Sequence, residues 1–234
     1  MGKLACLLML LPGTSCMAAP GGNDSAQDDT TARPKVYFIK EINSDNLLKI
    51  YKALGRKAEG RVAVKLSTGE PGGHNFLQPS LIAPLVHEVN GTIIECNTAY
   101  GGGRSETESH RKAAADHGFT AIADVDIMDA EGETRLPVEG GRHIKYDIVG
   151  SHYTNYDFTV VLSHFKGHAM AGFGGALKNI SIGIASSNGK RWIHSAGKST
   201  SEWGNPRQED WLETMAEAAK AVIDHCGDRI LYIS

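Results

Sequence analysis

Cysteine is scarce in this chain. Only four occur in 234 residues, and no two form a C-x-x-C pair, so the chain carries no ligand set for an iron-sulfur cluster or a zinc ribbon. Basic runs are missing as well. With a net charge of -3 and no block of Lys and Arg, it lacks the electrostatic footprint that would hold nucleic acid. The greasiest stretch, Leu4 to Leu11, is far shorter than the ~20 residues that cross a bilayer. No G-x-S-x-G elbow is present, so a serine hydrolase would have no exposed nucleophile. Ser195-Ala196-Gly197-Lys198-Ser199-Thr200 ends like a phosphate loop, but Trp192 stands where its first glycine must be.

What is present is ordinary globular composition. At 41% hydrophobic and 22% charged, the chain is neither wholly disordered, collagenous nor a coiled coil. A chain of this length buries roughly 70% of its unfolded surface and needs no staple, so a bound metal would serve chemistry. Glycine is plentiful, 27 residues where ~7% is usual. Many backbone positions are therefore expected to need positive φ or close approach to a ligand.

Met1-Gly2-Lys3, the apolar run and Pro12-Gly13-Thr14-Ser15-Cys16 have the layout of a secretory signal. Cys16 after Thr14-Ser15 resembles a lipobox, with Gly13 where Leu or Val is usual; cleavage near Ala18-Ala19 is the competing reading. Either one sends the protein out of the cytoplasm, to the periplasm or to a lipid anchor in the envelope. Residues 1–16 are thus read as a signal of lipoprotein type and 17–33 as a polar linker without periodicity. Residues 34–234 are read as one α/β domain. The cysteines left in it are Cys96 and Cys226. Cys226 shares a helical face with Trp211, Met215 and Val222, and reads as a buried thiol in preference to a bridge to Cys96.

From residue 60, short β-branched runs alternate with helical stretches, the pattern of a mostly parallel sheet flanked by helices on both faces. Arg61 to Leu66 reads as a strand, Pro79 to Val89 as a helix bent or shortened at Pro84, and Thr92 to Cys96 as a second strand. Ser105 with Glu108 forms a capping box for a helix over 106–117 that ends at Gly118. Ala121 to Ile127 is expected to be a third strand, followed by a hairpin or irregular excursion to Gly150. Phe158 to Leu162 reads as a strand covered on both sides, and the Gly-rich segment from Ala169 to Asn179 as a helix start. Asn205 and Pro206 open an amphipathic helix that ends at Gly227. Arg229 to Ser234 is a last strand, and because the chain stops inside that pattern it reads as a truncated sequence.

In open α/β sheets, ligands bind beyond the carboxyl ends of the strands. The loops at that edge carry Lys65 and His74, then Glu95, Asn97 and Tyr100, then His164, Lys166 and His168. His164 and His168 could share a metal with Glu95, or simply bond backbone carbonyls. Lys166 suits a phosphate or carboxylate, or charge developing on an oxygen. Gly101-Gly102-Gly103-Arg104 is either an anion cradle served by Arg104 and His110 or a flexible lead into the helix. Gly172 to Gly175 marks close packing or the approach of an anion. The basic stretch Asn188 to Lys198 reads as a solvated loop ahead of an anion gate.

Leu162-Ser163-His164-Phe165-Lys166-Gly167-His168, followed by Gly172-Phe173-Gly174-Gly175 and Leu177-Lys178-Asn179, resembles the family known as domain of unknown function 362. That family's hallmark is a strand, Lys-x-His, a Gly-rich stretch and Leu/Ile-Lys-Asn; the loop from Asn97 to Arg104 is similar too. The resemblance implies an iron-sulfur association through a ferredoxin-like domain carried by many members, but this chain has no cluster motif and departs from them there.

These readings converge on an envelope-located α/β protein with a polar metal- or anion-binding site at the strand carboxyl ends, an enzyme acting on a small acidic substrate. His168, Lys166 and Glu95 are the expected catalytic groups. Lys65, Asn97, Tyr100, Arg104, Lys178 and Asn179 are the expected substrate ligands, and His164 with His168 the expected ligands of a divalent metal. The alternative is a non-catalytic metal or iron-sulfur-associated binding or maturation module. The expected partner is a small anion or metal ion, with no nucleic acid and with membrane contact only through a lipid on Cys16.

Overall fold

Residues 35–234 are described in the computed structural model. The expected signal, Cys16 and the expected linker lie outside the described residues. Helix α1 (Ser44–Ala53) starts at Asn43, whose side chain accepts the backbone N–H of Asn46 at 2.9 Å. Then come β1 (Val62–Lys65), α2 (Pro79–Glu88), β2 (Gly91–Glu95), α3 (Thr107–Asp116) and β3 (Val125–Ile127). A hairpin of β4 (Glu133–Pro137) and β5 (Tyr146–Gly150) leads to β6 (Phe158–Leu162) and a second hairpin, β7 (Lys166–His168) and β8 (Gly172–Gly174). Helices α4 (Ala176–Ile184), α5 (Ser187–His194) and α6 (Gln208–Cys226) precede β9 (Ile230–Ile233).

Five strands form one sheet in the order β3-β2-β1-β6-β9, and every neighbouring pair is parallel. Side chains alternate across the pleat, so each strand serves two cores. Val62, Val64, Leu66, Ile93 and Val160 pack with Tyr51 of α1, Ile82 and Leu85 of α2, and Ala114 of α3. Ala63, Ile94 and Val161 pack on the other face with Ile180 and Ile184 of α4, Ile193 of α5 and Trp211 of α6. The expected parallel sheet with helices on both faces is the fold observed. Among the described residues no helix is long and apolar enough to cross a membrane.

Several local expectations fail for identifiable reasons. The Ser105 hydroxyl donates to Gly102 O at 2.8 Å, closing a turn, so Glu106 takes the cap position of α3 and no capping box forms. Gly118, at φ 87°, ends that helix as read, but it then directs the chain into a short 3-10 turn at Phe119–Ala121, and the third strand begins only at Val125. The segment after His164 is not helical. Gly172 at φ 75° permits the β7–β8 reversal, and α4 starts later, at Ala176. Arg207 is extended, so α6 opens at Gln208 and neither Asn205 nor Pro206 lies in its first turn. The supposed basic loop is α5, capped by Ser186 Oγ accepting the Gly189 N–H at 3.0 Å. Its helical spacing turns Lys190 and Ile193 inward together, and both are buried.

Candidate functional site: a cationic cavity at the carboxyl edge

The register that aligns Lys65 with Ile94 and Val161 brings the ends of β1, β2 and β6 to one edge. Beyond it lies a cavity of about 520 Å³, into which α4, α5 and the β7–β8 hairpin also project. Lys65, Glu95, Tyr100, Arg104, His164, Lys166, His168, Lys178 and Asn179 all line it. Segments separated by more than a hundred residues thus meet as the sequence reading required. His74 is exposed and Asn97 is not among the lining residues. Asn97 Nδ2 donates to Thr107 Oγ1 at 2.9 Å, and its Oδ1 faces His110 Nδ1 at 3.2 Å, so its amide serves α3 and does not face a ligand.

Glu95 is the anionic hub of one wall. It accepts from the Thr68 backbone N–H at 2.9 Å, the Thr68 hydroxyl, His110 Nε2 at 3.2 Å and Arg104 Nη1 at 3.3 Å. Burial opposes its charge, but the His110 hydrogen bond and the charges of Arg104 and Lys65 prevail and hold the carboxyl well below its usual range. Oε2 takes most of these bonds and Oε1 takes only the Arg104 contact, and with its pKa held down Glu95 serves as a fixed charge that orders this wall. Arg104 continues the network: Nη2 meets Glu70 Oε1 at 2.5 Å, and the same oxygen accepts from Tyr100 OH at 2.8 Å. Burial again opposes ionisation, and the two carboxylates outweigh it, so the guanidinium is held more firmly protonated than usual. Its buried Nε has no hydrogen-bond partner among the described residues. Of the two readings left open for Gly101–Arg104, the structure gives Arg104 and His110 carboxylate partners within the protein.

The rest of the lining is rich in ammonium groups. Lys65 is 1% exposed; its Nζ donates to Leu66 O at 2.6 Å and to Asn179 Oδ1 at 3.0 Å. Burial drives its pKa down to about 8, with Glu95 opposing that shift. Asn179 holds the site together, since its Nδ2 reaches Leu162 O at 3.1 Å, Ser163 Oγ at 3.2 Å and Lys65 O at 3.3 Å. With its amide spent on the ends of β1 and β6, it is a positioning residue. Lys190 is 8% exposed and donates to Ala185 O at 2.6 Å. Lys178 is lowered by burial and by the neighbouring charges of Lys166 and Lys190. Lys166 and His168 fall on one face of β7, because Gly167 between them takes the other.

His164 and His168 both reach the cavity, but the metal site expected of them lacks a third ligand. Glu95 is committed elsewhere, and among the described residues no three His, Cys, Asp or Glu side chains are grouped to hold a metal. The cysteines do not fit a cluster either. Cys96 and Cys226 are free and buried; Cys96 Sγ donates to Ile184 O and Cys226 Sγ lies 3.1 Å from Tyr153 OH. Burial pushes the Cys96 thiol up, so it stays protonated. Sequence reasoning missed Lys190 and His194, which line the cavity from α5. The inward face of Ser187–His194 was the available signal, and the basic composition masked it.

Fold and site together define an α/β protein with a polar, cationic cavity beyond the carboxyl ends of a parallel sheet. The chain belongs to the family described as domain of unknown function (DUF362), whose model matches residues 62–232. Among solved structures it is similar to the lactate racemase apoprotein from Thermoanaerobacterium thermosaccharolyticum, at 17% identity and a TM-score of 0.47 over 77% of this chain and 47% of that one. It is also similar to a protein from Thermotoga maritima, at 13% identity and a TM-score of 0.46 over 79% of this chain and 48% of the other. The chain spans about half the length of each. No curated protein matches it.

Proposed function

We propose that this chain binds a small anionic molecule, of the carboxylate or phosphate class, in the cavity at the carboxyl edge, and acts on it there. One observation carries the reading. Lys65 and Lys190 are each less than a tenth exposed, both line the cavity, and neither has a carboxylate in ion-pair contact among the described residues. Burying an unpaired ammonium is costly, by several kcal/mol in proteins. A ligand that brings the missing negative charge offsets that cost, and Lys166 and Lys178 extend the same field to the mouth of the cavity. Two carboxylates, Glu70 and Glu95, also face this space; Arg104 pairs with both, and Glu95 acts on Lys65 only through space, without ion-pair contact.

Calorimetric titration of the protein with phosphate, oxalate and malonate at pH 7 tests the reading. Saturable binding of at least one, weakened tenfold or more in Lys190→Met, supports it. Heats no different from buffer for all three would remove it.

We further propose that the protein resides at the cell envelope. Lys3, the apolar run to Leu11 and Cys16 support export, with a lipid on the cysteine. Mass spectrometry of the protein from its membrane fraction checks this through an acylated N-terminal Cys16, and an unprocessed Met1 terminus would contradict it.

A further inference from the structure

Two imidazoles of the cavity are held by the backbone in opposite tautomers. His194 Nδ1 lies 2.7 Å from Lys190 O. A carbonyl oxygen only accepts, so Nδ1 carries the proton and Nε2 of the neutral ring carries a lone pair. In His168 the pattern is reversed, because Nδ1 accepts the backbone N–H groups of Ala171 at 3.1 Å and Met170 at 3.3 Å. Its proton therefore sits on Nε2. Both rings line the one cavity and bear on the buried indole of Trp211, with centroids 5.5 Å away for His194 and 6.3 Å for His168. Trp203 meets His194 edge-on at 5.0 Å and fixes its plane. Neither Nε2 has a hydrogen-bond partner among the described residues. Burial lowers both imidazoles; the Lys178 charge adds to this in each, and in His194 the hydrogen bond to the Lys190 carbonyl opposes the shift without cancelling it.

A lone pair and an N–H presented to one ligand, beside ammonium groups, is an acid-base arrangement for moving a proton next to a carbonyl. Resting on the anion-binding reading above, we propose that His194 is the proton acceptor and His168 the hydrogen-bond donor for a small oxo acid. The cavity would thereby interconvert the keto and enolate forms of that acid. The carboxylate of the ligand meets the lysine wall. The C–H bond beside the carbonyl breaks and its proton goes to His194 Nε2. The bonding pair becomes the C=C bond, and the carbonyl π pair moves onto oxygen, where the His168 Nε2–H holds it. Lys178 and Lys166 face the charge that develops. Return of a proton from His194 to carbon regenerates the oxo acid, with no net oxidation.

The test is proton exchange followed by NMR in D₂O, using the full chain with pyruvate, 2-oxobutyrate and 2-oxoglutarate. Saturable loss of the C3 proton signal is expected for at least one acid. A drop of about 100-fold is expected in His194→Asn, whose amide can still donate to Lys190 O but offers no basic nitrogen. Should that variant fail to fold, ¹⁵N imidazole NMR of the unaltered protein decides the point. His194 must show Nδ1–H and His168 Nε2–H, and one shared tautomer overturns the proposal. Oxo acids that bind by calorimetry but exchange at the buffer rate also overturn it, and leave anion binding standing. Binding of phosphate with no binding of oxo acids rejects the substrate class alone. Binding of no anion removes both readings together.

Discussion

Gly183 leaves the space that Lys65 fills: a Cβ built at Gly183 would stand 2.8 Å from both Cε and Nζ of Lys65, and 3.2 Å from Asn179 Oδ1. The buried ammonium thus owes its position to a missing methyl group on α4. Gly183→Ala gains up to about 1 kcal/mol of helix propensity and loses about 1–3 kcal/mol to overpacking. The obstructing atoms are the end of a flexible side chain, so the fold should survive while Lys65 shifts. We expect the thermal midpoint to fall by no more than several degrees and a loss of about tenfold in anion affinity, read by calorimetry on the same samples.

Lys190→Met separates stability from function. The substitution removes a buried charge without a carboxylate partner and keeps most of the volume, so stability should hold or rise by about 1–2 kcal/mol. Ala185 O loses its donor, which limits the gain. Urea denaturation should therefore show an equal or higher midpoint while anion binding falls. A lower midpoint with binding intact would reverse the assignment of Lys190.

The pH dependence follows from Lys65, whose folded pKa of about 8 lies below the ordinary 10.5. Between those values the unfolded chain binds more protons, so this residue makes stability rise with pH through that window, by on the order of 3 kcal/mol. Anion affinity should move the other way, falling as pH rises through about 8 and the ammonium discharges. Calorimetry and denaturation at pH 7 and 9.5 check both slopes, and Lys65→Met should flatten them.

Glu95 has the same sign in a more acidic window. Its folded pKa is depressed, so its stabilisation is fully present above the ordinary 4.5 and is lost as pH falls below it. Glu95→Gln should cost about 2–4 kcal/mol, because the buried His110 and Lys65 lose the carboxylate beside them and Arg104 keeps only Glu70. Denaturation at pH 7 reads this directly, and a cost below about 1 kcal/mol would mean the network relaxes around the change.

Strands were the most legible part of the sequence, since Val62–Lys65, Gly91–Glu95 and Phe158–Leu162 are short β-branched runs that tertiary packing does not contradict. Their carboxyl ends located the cavity, because parallel topology forces loops after β1, β2 and β6 to one edge. Lys166 and His168 were found by their place after a strand and matched the family pattern as well, and the hairpin that carries them was not foreseen. Glycines permit helix starts and reversals alike, and only the positive φ at Gly172 separates the two. Lys190 and His194 escaped for another reason. A short helix rich in charge looks like solvated loop until the helical spacing is matched to the core that Ile193 enters.

NMR of the chain labelled at lysine Cε, titrated with oxalate at pH 7, bears most directly on whether the buried ammonium groups receive an anion. The Lys65 and Lys190 signals should shift together along one saturation curve, and Lys190→Met should weaken the response of Lys65. Signals from both lysines that stay fixed while only exposed lysines respond would contradict the assignment of this cavity as an anion site.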